Sequence, residues 1–163
     1  MTVTRRNLLC GAVLMGTSLA MGCTAIPGKT PVAVLLDVGP AVNPNIDGAP
    51  SPVVVRVYEL KSLKAFAAAS YFDLVDNEAK VLGGELLASH EYELAPGQKQ
   101  ALQAEYSSDA GFIGVIAGFR DIQSAQWRDA IALRKGGKNS LTVSLTNLAV
   151  KIERSRGPGA DDS

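Results

Sequence analysis

Pro52 to Leu60 reads PVVVRVYEL. Successive strand side chains point to opposite faces, so Val53, Val55 and Val57 share one face and Val54, Arg56 and Tyr58 share the other. A run this rich in valine loses rotamer freedom in a helix and packs well on a pleated surface, so the segment reads as a strong β-strand. Upstream, Gly39 to Ser51 (GPAVNPNIDGAPS) holds three prolines, two glycines and two asparagines. No regular element survives that composition, and the segment is a long loop. Before it, Val32 to Val38 (VAVLLDV) is a second strand candidate.

Downstream the period changes. In Lys61 to Asn77, Leu63, Phe66, Ala67 and Ser70 recur at helical spacing, and Ser62 is a helix-capping residue. Phe72 to Asn77 reads as a further helical turn. Strand patterns resume with Leu86 to Leu94 and Gln98 to Tyr106. Pro96-Gly97 between them suits the centre of a type II turn, which predicts a hairpin. Gly111 to Arg120 (GFIGVIAGFR) sets Ile113, Val115, Ala117 and Phe119 on one face. Gly114 and Gly118 on its other face leave room for a second element to approach closely. Ser124 to Gln126 reads as a bend, Trp127 to Arg134 as a strand and Lys135 to Lys138 as a turn, with Trp127 largely buried. Ser140 to Glu153 alternates but slips phase at Thr146-Asn147, which means a bulge or a turn between two strands. The expectation is an antiparallel β-sandwich of seven or eight strands with a small helical insertion between strands 2 and 3.

The chain has 163 residues, which favours a single domain. Hydrophobic residues are 47% and charged residues 20%, the balance of a globular protein. Sixteen Lys and Arg offset sixteen Asp and Glu, which argues against a nucleic-acid binder. Two cysteines and one histidine cannot assemble a Cys/His zinc cluster. His90 would be the sole imidazole for a catalytic constellation, and its strand position reads as solvent-facing. A G-x-S-x-G nucleophile turn is absent, as is a calcium loop of EF-hand spacing. No enzyme activity and no cofactor is expected.

The beginning of the chain reads as an address. Arg5 and Arg6 precede Leu8 to Met21, fourteen uncharged residues. That is short for a membrane span and right for a signal-peptide core. Ala20-Met21-Gly22-Cys23 resembles the lipobox of bacterial lipoproteins, in which the cysteine is acylated after cleavage before it. The organisation expected is a signal peptide over 1–22, a lipidated tether over 23–30, the sandwich over 31–153 and a flexible tail over 154–163. Thr4-Arg5-Arg6-Asn7-Leu8-Leu9 leaves the general and the twin-arginine export routes both open. Thr24 stands where inner-membrane lipoproteins carry Asp, so resemblance to that class implies outer-membrane sorting.

Several blocks in order behind the lipobox carry a more specific resemblance. Asn43-Pro44-Asn45, Gly48, Pro50 to Tyr58 and Leu60 form the first. Leu63, Ala65, Phe66, Tyr71-Phe72 and Leu74 form the second. Gly114 to Ile122, Ala125 and Trp127-Arg128 form the third. Together they resemble the type VI secretion lipoprotein family (TssJ, VasD, SciN). The resemblance implies a transthyretin-like sandwich anchored by lipid on Cys23 in the outer membrane and facing the periplasm. It implies a structural role, in which the periplasmic C-terminal region of TssM is bound within a membrane complex that also contains TssL. The loop between the first two strands contributes to that contact in the family, which maps it here to Val42, Asn43, Pro44, Asn45, Ile46, Asp47 and Gly48. Ile46 and Val42 are its apolar residues; Asn43, Pro44, Asp47 and Gly48 either meet the partner or only shape the loop. A lipid-anchored binding module for a small ligand or glycan is the alternative.

Overall fold

The computed structural model describes residues 28–155. Cys23 and the expected signal peptide lie outside the described residues, as do residues 24–27 of the expected tether and 156–163 of the expected tail. Eight strands alternate with turns in this order: β1 Thr30–Val38, β2 Val53–Leu60, β3 Leu86–Leu94, β4 Lys99–Tyr106, β5 Phe112–Gly118, β6 Arg128–Ala132, β7 Asn139–Thr146 and β8 Ala149–Arg154. Three short helices, α1 Lys64–Ala68, α2 Tyr71–Asp76 and α3 Glu78–Leu82, are inserted between β2 and β3. One sheet has the order β4-β1-β7-β8 and the other β3-β2-β5-β6. The expected sandwich with its helical insertion is therefore present.

Its core follows the alternation. Val53, Val55 and Val57 of β2 pack with Ile113, Val115 and Ala117 of β5 and with Val34, Leu36, Leu141, Val143 and Leu145 of the facing sheet. The opposite face of the β2 sheet makes a second core. There Tyr58, Leu60 and Ile116 pack against Phe66, Ala69, Leu74 and Leu82 of the helices. The glycines explain how the helices come so close. A Cβ on Gly114 would stand 2.8 Å from Phe66 Cζ, and one on Gly118 would stand 2.7 Å from the Tyr71 hydroxyl. Both cores are built from residues of this one sandwich and its helical insertion.

Four details depart from the sequence reading. Gly97 has φ of +76° and Gln98 N–H donates to Ala95 O, so the turn chemistry at Pro96-Gly97 is as expected. Yet β3 and β4 belong to different sheets, and the turn crosses the sandwich instead of closing a hairpin. Pairing with β2 and β1 holds these two strands apart. Second, β1 and β7 run parallel, in register from Val32 with Asn139 to Val38 with Leu145. Third, Ser70 rather than Ser62 makes a capping box, with Asp73 at the start of α2, and α3 had no clear sequence signal. Fourth, Trp127 is half-buried and lies just before β6. It touches both cores, sits edge-on to Tyr71 at 5.4 Å and carries the Arg128 guanidinium over its ring at 4.8 Å. The phase slip at Thr146-Asn147 resolves as a turn between β7 and β8, with Asn147 at φ of +37°. His90 is exposed.

One side of the sandwich is stitched shut. The Asp129 carboxylate of β6 accepts from Ile152 N–H of β8 at 2.8 Å, and Gln126 exchanges backbone hydrogen bonds with Leu148 and Val150. The strand directions then divide the molecule into two ends. The β1–β2 loop, the Ala95–Gln98 turn, the β5–β6 loop and the β7–β8 turn lie at one end. Thr30, the β4–β5 loop, the β6–β7 turn and Arg154 lie at the other. Nine residues of β1 separate the ends by roughly 30 Å.

Candidate partner-binding site

The β1–β2 loop is anchored deeply at its root. Val42 is completely buried in the main core, and Asn43 is 2% exposed. Asn43 holds φ of +49°, a left-handed conformation that asparagine tolerates better than most residues. Its Nδ2 donates to Pro52 O at 2.7 Å, its Oδ1 accepts from Arg120 N–H at 2.8 Å, and its own N–H donates to Asn147 O at 2.7 Å. One buried amide thus ties the loop to the end of β5 and to the β7–β8 turn. The residues expected to meet a partner therefore fall into a buried root and an exposed tip. A partner docking on the folded domain reaches neither Val42 nor the Asn43 side chain; both hold the loop in place.

The tip is built differently. Asn45 Oδ1 accepts from Asp47 N–H at 3.0 Å and from Ala49 N–H at 2.9 Å. Asn45 N–H donates to Ala49 O, and Gly48 N–H donates to Asn45 O, with Gly48 at φ of +79°. These bonds close Asn45 to Ala49 into a small Asx-type turn. Pro40, Pro44 and Pro50 stiffen its approaches. Ile46 projects from the turn with 101% relative exposure, and Asp47 and Gly48 are exposed beside it. Placing an isoleucine fully in water forgoes about 1.5–3 kcal/mol of burial free energy. Interfaces use such side chains as anchors.

Three residues outside the loop complete the surface. Arg120 and Asp121 of the β5–β6 loop and Leu148 of the β7–β8 turn line a groove of about 560 Å³ with Pro44, Asn45 and Ile46. Asp121 Oδ1 accepts from Ser124 N–H, which fixes the bend that carries it. The sequence holds no local signal for this grouping, because hydrogen bonds through Asn43 bring the three segments together. The surface combines a rigid apolar anchor, a shallow groove and an exposed Arg120. Such a surface suits a protein partner better than an enclosed small ligand. Among the described residues no group of three or more His, Cys, Asp or Glu is placed to hold a metal, and no helix is long and apolar enough to cross a membrane.

Comparison with known proteins places this geometry in context. The family model for the type VI secretion lipoprotein (VasD, EvfM, TssJ) matches residues 30–148. The crystal structure of the T6SS lipoprotein TssJ1 from Pseudomonas aeruginosa is similar at 32% identity with a TM-score of 0.77, covering 80% of this chain and 99% of that one. Lip of Serratia marcescens, described as a membrane-bound component of the type VI secretion system, matches at 24% identity and a TM-score of 0.72 over 79% of this chain and 99% of that one. A chain of a structure described as the TssM C-terminal domain from EAEC matches at 25% identity and a TM-score of 0.63, covering 75% of this chain and 99% of that one. No curated protein sequence matches the chain.

Proposed function

The chain belongs to the type VI secretion lipoprotein family, and from that membership we propose that it is a structural outer-membrane lipoprotein that ties the type VI membrane complex to its membrane. Acyl chains on Cys23 hold it, and the sandwich faces the periplasm. The loop tip, Pro44 to Gly48 with Ile46 as anchor, binds the periplasmic C-terminal region of TssM, in a complex that also contains TssL. The role is mechanical attachment, not catalysis.

The observation that carries this reading is the placement of Ile46. It stands fully exposed on a turn held by its own hydrogen bonds, at the end of the sandwich opposite Thr30. A tether entering at Thr30 leaves that end free to meet a protein rising from the inner membrane. Preorganisation of the tip lowers the ordering cost of docking. Two further observations support it. A chain closely matched in shape occurs in a structure described as the type VI membrane complex, with 25% identity and a TM-score of 0.67. Another occurs in the structure described by the TssM C-terminal domain.

The test is a pull-down from detergent-solubilised envelopes, with the native chain and with Cys23→Ser. The native chain is expected in the outer-membrane fraction with TssM. Two acyl chains make anchoring stable, so Cys23→Ser should fractionate as soluble periplasmic protein. Recovery of a small molecule without TssM, or an outer-membrane Cys23→Ser protein, would contradict the proposal.

A further inference from the structure

The end of the sandwich that holds Thr30 carries a concentrated, unpaired positive charge. The β6–β7 turn reads Arg134-Lys135-Gly136-Gly137-Lys138, and all three cations are exposed. None of them makes an ion pair among the described residues. The turn is nevertheless rigidly built. Asn139, 2% exposed, accepts from Arg134 N–H at 2.8 Å and donates from Nδ2 to Arg134 O and Gly137 O at 3.1 Å each. Gly136 takes φ of +70° at the bend. Arg154 braces the base through Asn139 Oδ1 and Ala132 O. The acids near this end have partners of their own: Glu105 pairs with Lys29, Asp109 with Lys61 and Glu153 with Lys151, while Glu59 accepts from Ser107 N–H and Glu85 from Ala65 N–H.

The turn also lies beside the point where the chain enters the fold. Asn139 stands opposite Val32 in the parallel β1–β7 register. If Cys23 is acylated, six residues, 24–29, separate the anchor from Thr30, a reach of at most about 25 Å. We infer that the Arg134–Lys138 turn is a headgroup-binding surface, seated on anionic phospholipid of the membrane that holds the anchor. This rests on the lipoprotein reading above and adds an orientation to it: the docked turn stands the sandwich on its base, with Ile46 about 30 Å away from the membrane. A lysine or arginine close to an anionic membrane surface strengthens binding about fivefold. Three in one turn bias the tethered domain by about a hundredfold. Solvated surface lysines scattered over a fold would not be prearranged by a buried asparagine at the tether's exit.

The full lipidated protein, reconstituted into vesicles, gives the test. One set contains phosphatidylcholine alone and the other about 30% phosphatidylglycerol, at low and at about 0.5 M salt. A water-soluble acetylating reagent labels lysines, read by mass spectrometry, with exposed Lys80 on the helical insertion as internal control. Lys135 and Lys138 should label at least about tenfold more slowly on the anionic vesicles, with protection lost in high salt and Lys80 unchanged. In R134Q/K138Q, Lys135 should lose most of its protection. Equal labelling on the two vesicle types, or full protection of Lys135 in that variant, overturns the inference. Failure of the protein to float with phosphatidylcholine vesicles is a different result. It removes the Cys23 anchor and this inference with it.

Discussion

Asn43→Ala is the sharpest test of how the loop is held. The substitution removes the hydrogen bond to Pro52 O at 2.7 Å and the one from Arg120 N–H at 2.8 Å, both at a buried position. It leaves two main-chain groups without these partners, at about 1–1.5 kcal/mol each. It also places alanine at φ of +49°, which costs about 1 kcal/mol more. The expected loss is about 3 kcal/mol, and the melting temperature should fall by roughly 10 °C. Asn43→Gly removes the same hydrogen bonds but accommodates the positive φ, so it should be milder by about 1 kcal/mol. Urea unfolding of the soluble domain, residues 24–163, followed by Trp127 fluorescence, measures both. A loss below about 1 kcal/mol for Asn43→Ala would refute the buried-tie argument. Equal losses for Ala and Gly would remove the backbone contribution from it.

Trp127→Ala should cost about 2–3 kcal/mol in urea unfolding followed by circular dichroism, since the variant lacks the chain's single tryptophan, and this is below the range for a fully buried tryptophan because the ring is only partly buried at the margin of both cores. A loss of 4 kcal/mol or more, roughly, would show a deeper role. Gly114→Ala forces a Cβ to within 2.8–3.0 Å of Phe66 and Leu60 and should cost about 1–3 kcal/mol, whereas a neutral result would mean that the helices can shift. The Asp73 carboxyl is held below its ordinary pKa by the Ser70 hydroxyl and then by Ser70 N–H. A depressed carboxyl stabilises the fold above its unfolded value of about 4 and loses that contribution as pH falls through the folded value. The stability gap between wild type and Ser70→Ala should therefore narrow between about pH 5 and pH 2, and a constant gap would count against the capping box.

Local alternation made the strands legible. PVVVRVYEL and GFIGVIAGFR each show a core face, and Gly114 and Gly118 announced that another element packs on the reverse. What alternation cannot state is which sheet a strand joins. The Pro96-Gly97 turn has the chemistry of a tight turn whether it closes a hairpin or crosses the sandwich, and the partners of β3 and β4 decide that. The parallel pairing of β1 with β7 is equally non-local. In the loop, the composition of Gly39 to Ser51 announced irregular backbone but not burial. Val42 and Ile46 are both apolar residues of one loop, yet one completes the core and the other meets water. That difference comes from Asn43, whose partners lie at Pro52 and Arg120. Arg120, Asp121 and Leu148 joined the candidate surface only through that tie.

The central claim is that the exposed loop tip binds the periplasmic C-terminal region of TssM, and calorimetric titration of that region with the soluble domain tests it most directly. Ile46→Asp should leave the melting temperature unchanged, because the side chain touches no core residue cluster and exposed positions tolerate polar groups. At the interface it should bury an unpaired charge and weaken binding by about 2 kcal/mol or more, roughly thirtyfold in Kd. An Ile46→Asp domain that melts like wild type and binds TssM with unchanged affinity would contradict the account.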